Sequence, residues 1–187
     1  MIINNFKLFE SHQDIHDLCK KYYIENYTIN DGLVSVDGDV DLNNRHLTEI
    51  PIPFKEVSGI LNCSHNKLTS LKNCPQTVGD NFYCDNNQLT SLEYCPETVG
   101  GGFYCGYNQL TNFDGLPEFF EQFINLRNNP VNEIYKIFKE DPRCIYWIRE
   151  YDVIRDMVVN RYRLEEVFHT LEMEVPKDII LKEYILI

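Results

Sequence analysis

Seven cysteines and five histidines are the side chains of this 187-residue sequence best suited to chemistry, and their spacing decides which chemistry. Cys63, Cys84 and Cys105 recur every 21 residues, and Cys74 and Cys95 repeat at the same interval. A zinc site of the usual kind would show a Cys-x-x-Cys pair, and there is none. Cysteines stacked one strand apart meet the distance for a disulfide, but their side chains run parallel rather than toward each other. His12 and His16 lie one helical turn apart without the glutamate of His-Glu-x-x-His or a third ligand, so they read as surface residues. Cys144 has Arg143 beside it, which would lower the pKa of an exposed thiol. Burial on a helix face is the expected state. No phosphate loop or Gly-x-Ser-x-Gly is present, and Gly100–Gly102 fits a turn. The expectation is a non-enzyme with no metal and no cofactor, whose thiols pack as small hydrophobes.

The interval of 21 is the stronger signal. Asn66, Asn87, Asn108 and Asn129 form one column, and Leu47, Leu68, Leu89, Leu110 and Val131 another. Ile50, Leu71, Leu92, Phe113 and Ile134 follow, as do Val40, Leu61, Phe82, Phe103 and Ile124. Pro75, Pro96 and Pro117 keep step with Val57, Val78, Val99 and Phe120. A fixed period of this length marks a solenoid. Within each step "FYC" alternates in, out, in, which predicts a short strand paired in parallel with its copies. The Asn amide then serves backbone groups orphaned at the bend. The Pro segment crosses the far side without a donor, and Gly79 and Gly100 permit the turn back. Arg45 replaces the asparagine in the first copy, an edge-facing turn.

The sequence therefore divides into residues 1–37, about five repeats over 38–134, and 135–187. In the first part Ser11 caps a helix with Asp14 behind it, and Ile15, Leu18, Cys19, Tyr22 and Tyr23 form its apolar stripe. "YTINDGLVSV" predicts a hairpin turning at Asp31-Gly32. The last part predicts helices in "NPVNEIYKIFKE", "CIYWIREYDVI" and "RYRLEEVFHTLEM", the first interrupted at Asp141-Pro142. "VPKDIILKEYILI" fits either a short helix or an extended tail. Tyr146, Trp147, Ile148 and Tyr151 are expected to dock on the final repeat.

Net charge is −12, and residues 38–134 alone carry 5 basic against 12 acidic side chains. That balance argues against direct nucleic-acid binding. No apolar run reaches the roughly 18 residues of a membrane span, and no secretory signal opens the chain, so a reducing cytoplasm is expected. Outward strand positions then hold Tyr83, Tyr104, Phe123, Asn62, Asn81, Asn125, Asp85 and Arg127, with His65 and Tyr107 adjoining. Tyrosine gives large contact area at low entropic cost, which favours recognition over mere cross-strand packing.

Each step reads apolar-x-Cys-x-x-Asn-x-Leu-x-x-Leu, which resembles the leucine-rich repeat with cysteine at the second strand position. The Pro-x-x-Val segment is closest to the short repeats of bacterial effector proteins. From "INDGLVSVDGDVDLNNRHLTEIP" through "NPVNEIYKIF", about residues 27–140, the chain is similar to small leucine-rich repeat proteins encoded by tailed bacteriophages. The resemblance implies an α/β solenoid with a short parallel sheet, an N-terminal helix and hairpin cap, and a C-terminal helical cap or subdomain. It also implies a non-enzymatic protein that binds a host bacterial protein in the cytoplasm, to block antiviral defence or redirect host function. The alternative is an acidic mimic of nucleic acid that occupies a nucleic-acid-binding host protein.

Overall fold

The computed structural model describes residues 14–117, 119–120 and 123–187; Ser11 and His12 lie outside them. The described residues open on helix α1 (residues 14–21), which buries Ile15 and Cys19 and half-buries Leu18. Tyr23 does not join that stripe. It sits past the helix end at φ 58° with 79% of its surface exposed. The hairpin forms as expected, with β1 (Tyr27–Asn30) antiparallel to β2 (Leu33–Val36). Asp31 and Gly32 at φ 52° and 78° make a turn whose twist matches the strands.

From there the chain winds as a β-solenoid of about four turns carrying two parallel ladders. A front ladder joins β3 (Val40–Asp41), β5 (Leu61–Asn62), β7 (Phe82–Tyr83), β9 (Phe103–Tyr104) and β11 (Ile124–Asn125). Its register is the sequence period itself: Leu61 faces Phe82, Phe82 faces Phe103, and Phe103 faces Ile124. The back ladder is a finding. The segments expected to cross the far side without needing an amide donor form β4 (Phe54–Val57), β6 (Thr77–Val78), β8 (Thr98–Val99) and β10 (Phe119–Phe120). Proline stands just ahead of these strands, so the strand amides stay free to pair: Gly79 N–H donates to Val57 O and Gly100 N–H to Val78 O, both at 2.9 Å.

The asparagine column locks the turns together. Asn87 Nδ2 donates to Cys84 O of its own turn and to Cys63 O of the turn before, both at 3.1 Å. Its Oδ1 accepts from Leu68 N–H at 3.0 Å. Asn108 and Asn129 repeat the pattern one and two steps on. The column ends because Pro130 occupies the place where Lys67, Gln88 and Gln109 each donate to the preceding turn. Val131 N–H takes over that bond to Leu110 O, and the chain turns into helix.

Gly79 and Gly100 are glycines for a reason other than the expected one. Neither has a positive φ. A Cβ at Gly79 would collide with the Ser58 carbonyl, and one at Gly100 with the Gly79 carbonyl, so close stacking of successive backbones excludes a side chain.

Cys63, Cys84 and Cys105 are fully buried in the continuous core, and Cys74 and Cys95 are half-buried against it. Beyond the solenoid come α2 (Asn132–Ile137), α3 (Arg143–Glu150) and α4 (Arg161–Thr170). Asn160 caps the last, its Oδ1 accepting from Arg163 N–H at 3.0 Å. Between and after them lie β12 (Ile154–Arg155), β13 (Val158–Val159) and β14 (Ile185–Leu186), a three-stranded sheet that helical periodicity did not foresee. Of the residues expected to dock on the final repeat, Ile148 is buried, Trp147 and Tyr151 are half-buried and Tyr146 is exposed. Contact with the last turn is made by Tyr135 against Phe113, ring centroids 6.4 Å apart, and by Tyr184, whose hydroxyl donates to Thr111 O at 2.6 Å.

Candidate functional site

The front ladder sets the site by geometry. Strand alternation buries Phe82, Cys84, Phe103 and Cys105 and turns Tyr83 and Tyr104 outward at matched register. Their rings stack with centroids 4.4 Å apart and planes 19° from parallel. Phe123, 46% exposed, meets the Tyr104 ring edge-on at 4.9 Å, extending the run. Gly102 makes room for it: a Cβ there would lie 2.9 Å from Tyr104 Cε2. Burial, then the neighbouring Tyr104, raises the Tyr83 pKa, so its phenol stays neutral and able to donate.

A polar field borders the aromatic run. His65 Nε2 stands 3.9 Å from Asp85 Oδ2, and Asn86 Nδ2 donates to the same oxygen at 2.7 Å. Asn81 Oδ1 accepts from Gly102 N–H at 2.7 Å, so it serves the ladder as well as the surface. Arg127 is exposed at the C-terminal end, and among the described residues no carboxylate lies within ion-pair distance of it.

The column that holds Tyr83 and Tyr104 contains Asp41 and Asn62 before them and Asn125 after. Each of those three accepts from the amide two residues on: Asn43 at 2.9 Å, Ser64 at 3.1 Å and Arg127 at 3.1 Å. Such an Asx turn secures the bend beyond the strand. The two central turns replace it with tyrosine and lose that support.

A second column was not read from the sequence. Asn44, His65, Asn86, Tyr107 and Asn128 all take left-handed backbone, φ 53–55°. Asparagine tolerates this locally, whereas an aromatic there costs on the order of 1 kcal/mol. The repeated asparagines were the available signal. Tyr107 is 58% exposed, and no ring contact among the described residues joins it to the Tyr83–Tyr104–Phe123 run.

The other candidate chemistry lies elsewhere. Cys144 is buried, its thiol pushed up by burial and then by Asp141. Arg143 turns to Asp141 instead, Nη2 to Oδ2 at 2.6 Å. His16 Nδ1 is 2.7 Å from the Tyr27 hydroxyl. Among the described residues no group of three or more His, Cys, Asp or Glu is placed to hold a metal ion, and no helix is long and apolar enough to cross a membrane. No known protein family, curated protein or solved structure matches the chain.

Proposed function

We propose that this chain is a non-enzymatic recognition protein of the leucine-rich repeat type, similar to those of tailed phages, that holds a host bacterial protein against its front ladder. Its effect in the cell is to block an antiviral defence or redirect a host function. The observation that carries the reading is the exchange of Asx turns for stacked tyrosines in the two central turns alone. The fold already has a cheaper residue for that position, so the rings answer a demand from outside it. Tyr107, held exposed in a backbone conformation that suits asparagine, points the same way.

The carboxylates favour protein recognition over nucleic-acid mimicry. Asp39 Oδ1 accepts from Ile60 N–H at 2.8 Å and Asp41 Oδ1 from Asn43 N–H, so both have backbone duties. Affinity capture from infected bacteria with the intact chain, beside the Tyr83→Ala/Tyr104→Ala double variant, tests the assignment. The double variant should stay folded and lose the partner by about tenfold or more, the effect of removing an interface hot spot. Equal recovery by both proteins would remove the site. Capture that collapses between low and moderate salt, with the tyrosines irrelevant, would favour the mimic.

A further inference from the structure

The front ladder has an unfinished end. At each earlier step a strand donates to the one that follows: Phe82 N–H to Gly102 O at 3.0 Å, Cys84 to Tyr104 at 2.8 Å, Phe103 to Phe123 at 2.9 Å, Cys105 to Asn125 at 3.1 Å. The same positions on β11 are the amides of Ile124 and Leu126. Among the described residues no backbone carbonyl accepts from either. The two residues are nonetheless only 8% and 2% exposed, so these are edge groups set beside a core.

A groove of about 410 Å³ runs along this edge, lined by residues 123–127 with Tyr104, Asn132, Tyr135 and Glu140. Asn132 is a second, independent sign of an occupant. It is only 6% exposed, yet its side-chain amide has no hydrogen-bond partner among the described residues. A buried amide in that state costs the fold free energy unless something else satisfies it.

We propose that this edge accepts an extended segment of a partner protein as one more parallel strand. The proposal deepens the recognition reading and rests on it. Two carbonyls of the segment accept from Ile124 and Leu126 N–H, its intervening amide donates to Ile124 O, and Asn132 takes up a further main-chain group. The segment's side chains continue the columns of the ladder. Two apolar residues therefore follow Ile124 and Leu126 inward, and the residue between them faces out beyond Asn125. Arg127 and Glu140, one of each sign, leave the main chain as the principal point of recognition.

The test uses the full chain, amide-resolved hydrogen exchange, and a blocked synthetic peptide copying residues 81–87, a strand the ladder already accepts between its neighbours. In the free chain Ile124 and Leu126 should exchange at least about tenfold faster than Phe103 and Cys105. Excess peptide should slow both about tenfold, and a peptide N-methylated at the position of Tyr83 should not. Asn132→Leu should weaken the peptide about tenfold without lowering the melting temperature. Tyr83→Ala, which lies outside the groove, should leave peptide binding intact, so the edge and the tyrosine face fail separately. The proposal falls if Ile124 and Leu126 are already slow in dilute free chain, or if the N-methylated peptide protects equally. It falls too if protection appears on concentrating the chain alone, which would make a second copy the occupant.

Discussion

The solenoid and the segment that follows it are held by hydrogen bonds of very different reach. In the solenoid each asparagine bonds 3 residues back, 19 back and 24 back, at the same offsets turn after turn. The C-terminal segment is tied on by single contacts of long separation. Tyr184 reaches Thr111, 73 residues away, and Glu133 Oε2 accepts from the amides of Lys182 and Glu183, 49 and 50 residues away. One region is redundant and local, the other unique and distant. A loss in the first should be borne by all turns, and a loss in the second should free one end.

The largest effect should come from Asn87→Ala. It strands Leu68 N–H inside the core and takes one of two bonds from Cys63 O and from Cys84 O, which keep those from Asn66 and Asn108. About 1–3 kcal/mol for the orphaned donor and about 1 kcal/mol for each lost bond give about 3–5 kcal/mol in urea unfolding. Asn66→Ala sharpens the point. Asn66 makes more side-chain bonds than Asn87 but is half-buried next to the exposed Arg45, where water replaces what is lost, so its cost should be clearly smaller.

Alkaline pH should separate the regions next. Burial raises the thiols of Cys63, Cys74, Cys84 and Cys95 well above their ordinary 9.0, against Cys144 alone in the segment beyond. Below pH 9 the thiols are protonated in both states and their contribution is intact. Above it only the unfolded chain ionises, so stability should fall as pH rises, by up to about 1.4 kcal/mol per unit for each thiol. Cys84→Ala should flatten the pH dependence of the solenoid transition more than Cys144→Ala does. Equal slopes would mean that the two regions unfold in one transition.

The smallest effect belongs to Tyr184→Phe, which removes one hydroxyl bond to Thr111 and should cost about 1 kcal/mol. Its hydrogen-exchange signature should be confined to the C-terminal strand, leaving Phe82 to Cys105 unchanged. Faster exchange throughout would mean the two regions unfold as one.

The same difference in reach explains what could be read in advance. Front strands, core columns and the asparagine lock repeat at 21, so five weak copies add to one strong signal. The back ladder escaped because each of its steps buries a single side chain, such as Val78 beside the exposed Thr77, whereas the front step alternates across Phe82, Tyr83 and Cys84. The small terminal sheet escaped for two reasons. Val158 pairs with Ile185, far off in sequence, and the β12–β13 turn places Asp156 and Met157 at φ 48° and 63°, a turn lacking the usual Gly or Asn. At the candidate site the tyrosines were legible as outward residues. Their stacking, the Asx turns they displaced and the open groove at Asn132 depend on side-chain placement that spacing alone does not give.

The asparagine lock also runs one way. Asn87 completes bonds for Leu68 and Cys63, residues of the turn made before it, and Asn108 does the same for Leu89 and Cys84. On a ribosome, then, each coil must wait for its successor to emerge before it is sealed. The nascent protein would always carry one unfinished coil at its growing end, closed only when Asn129 and the helix behind it leave the exit tunnel.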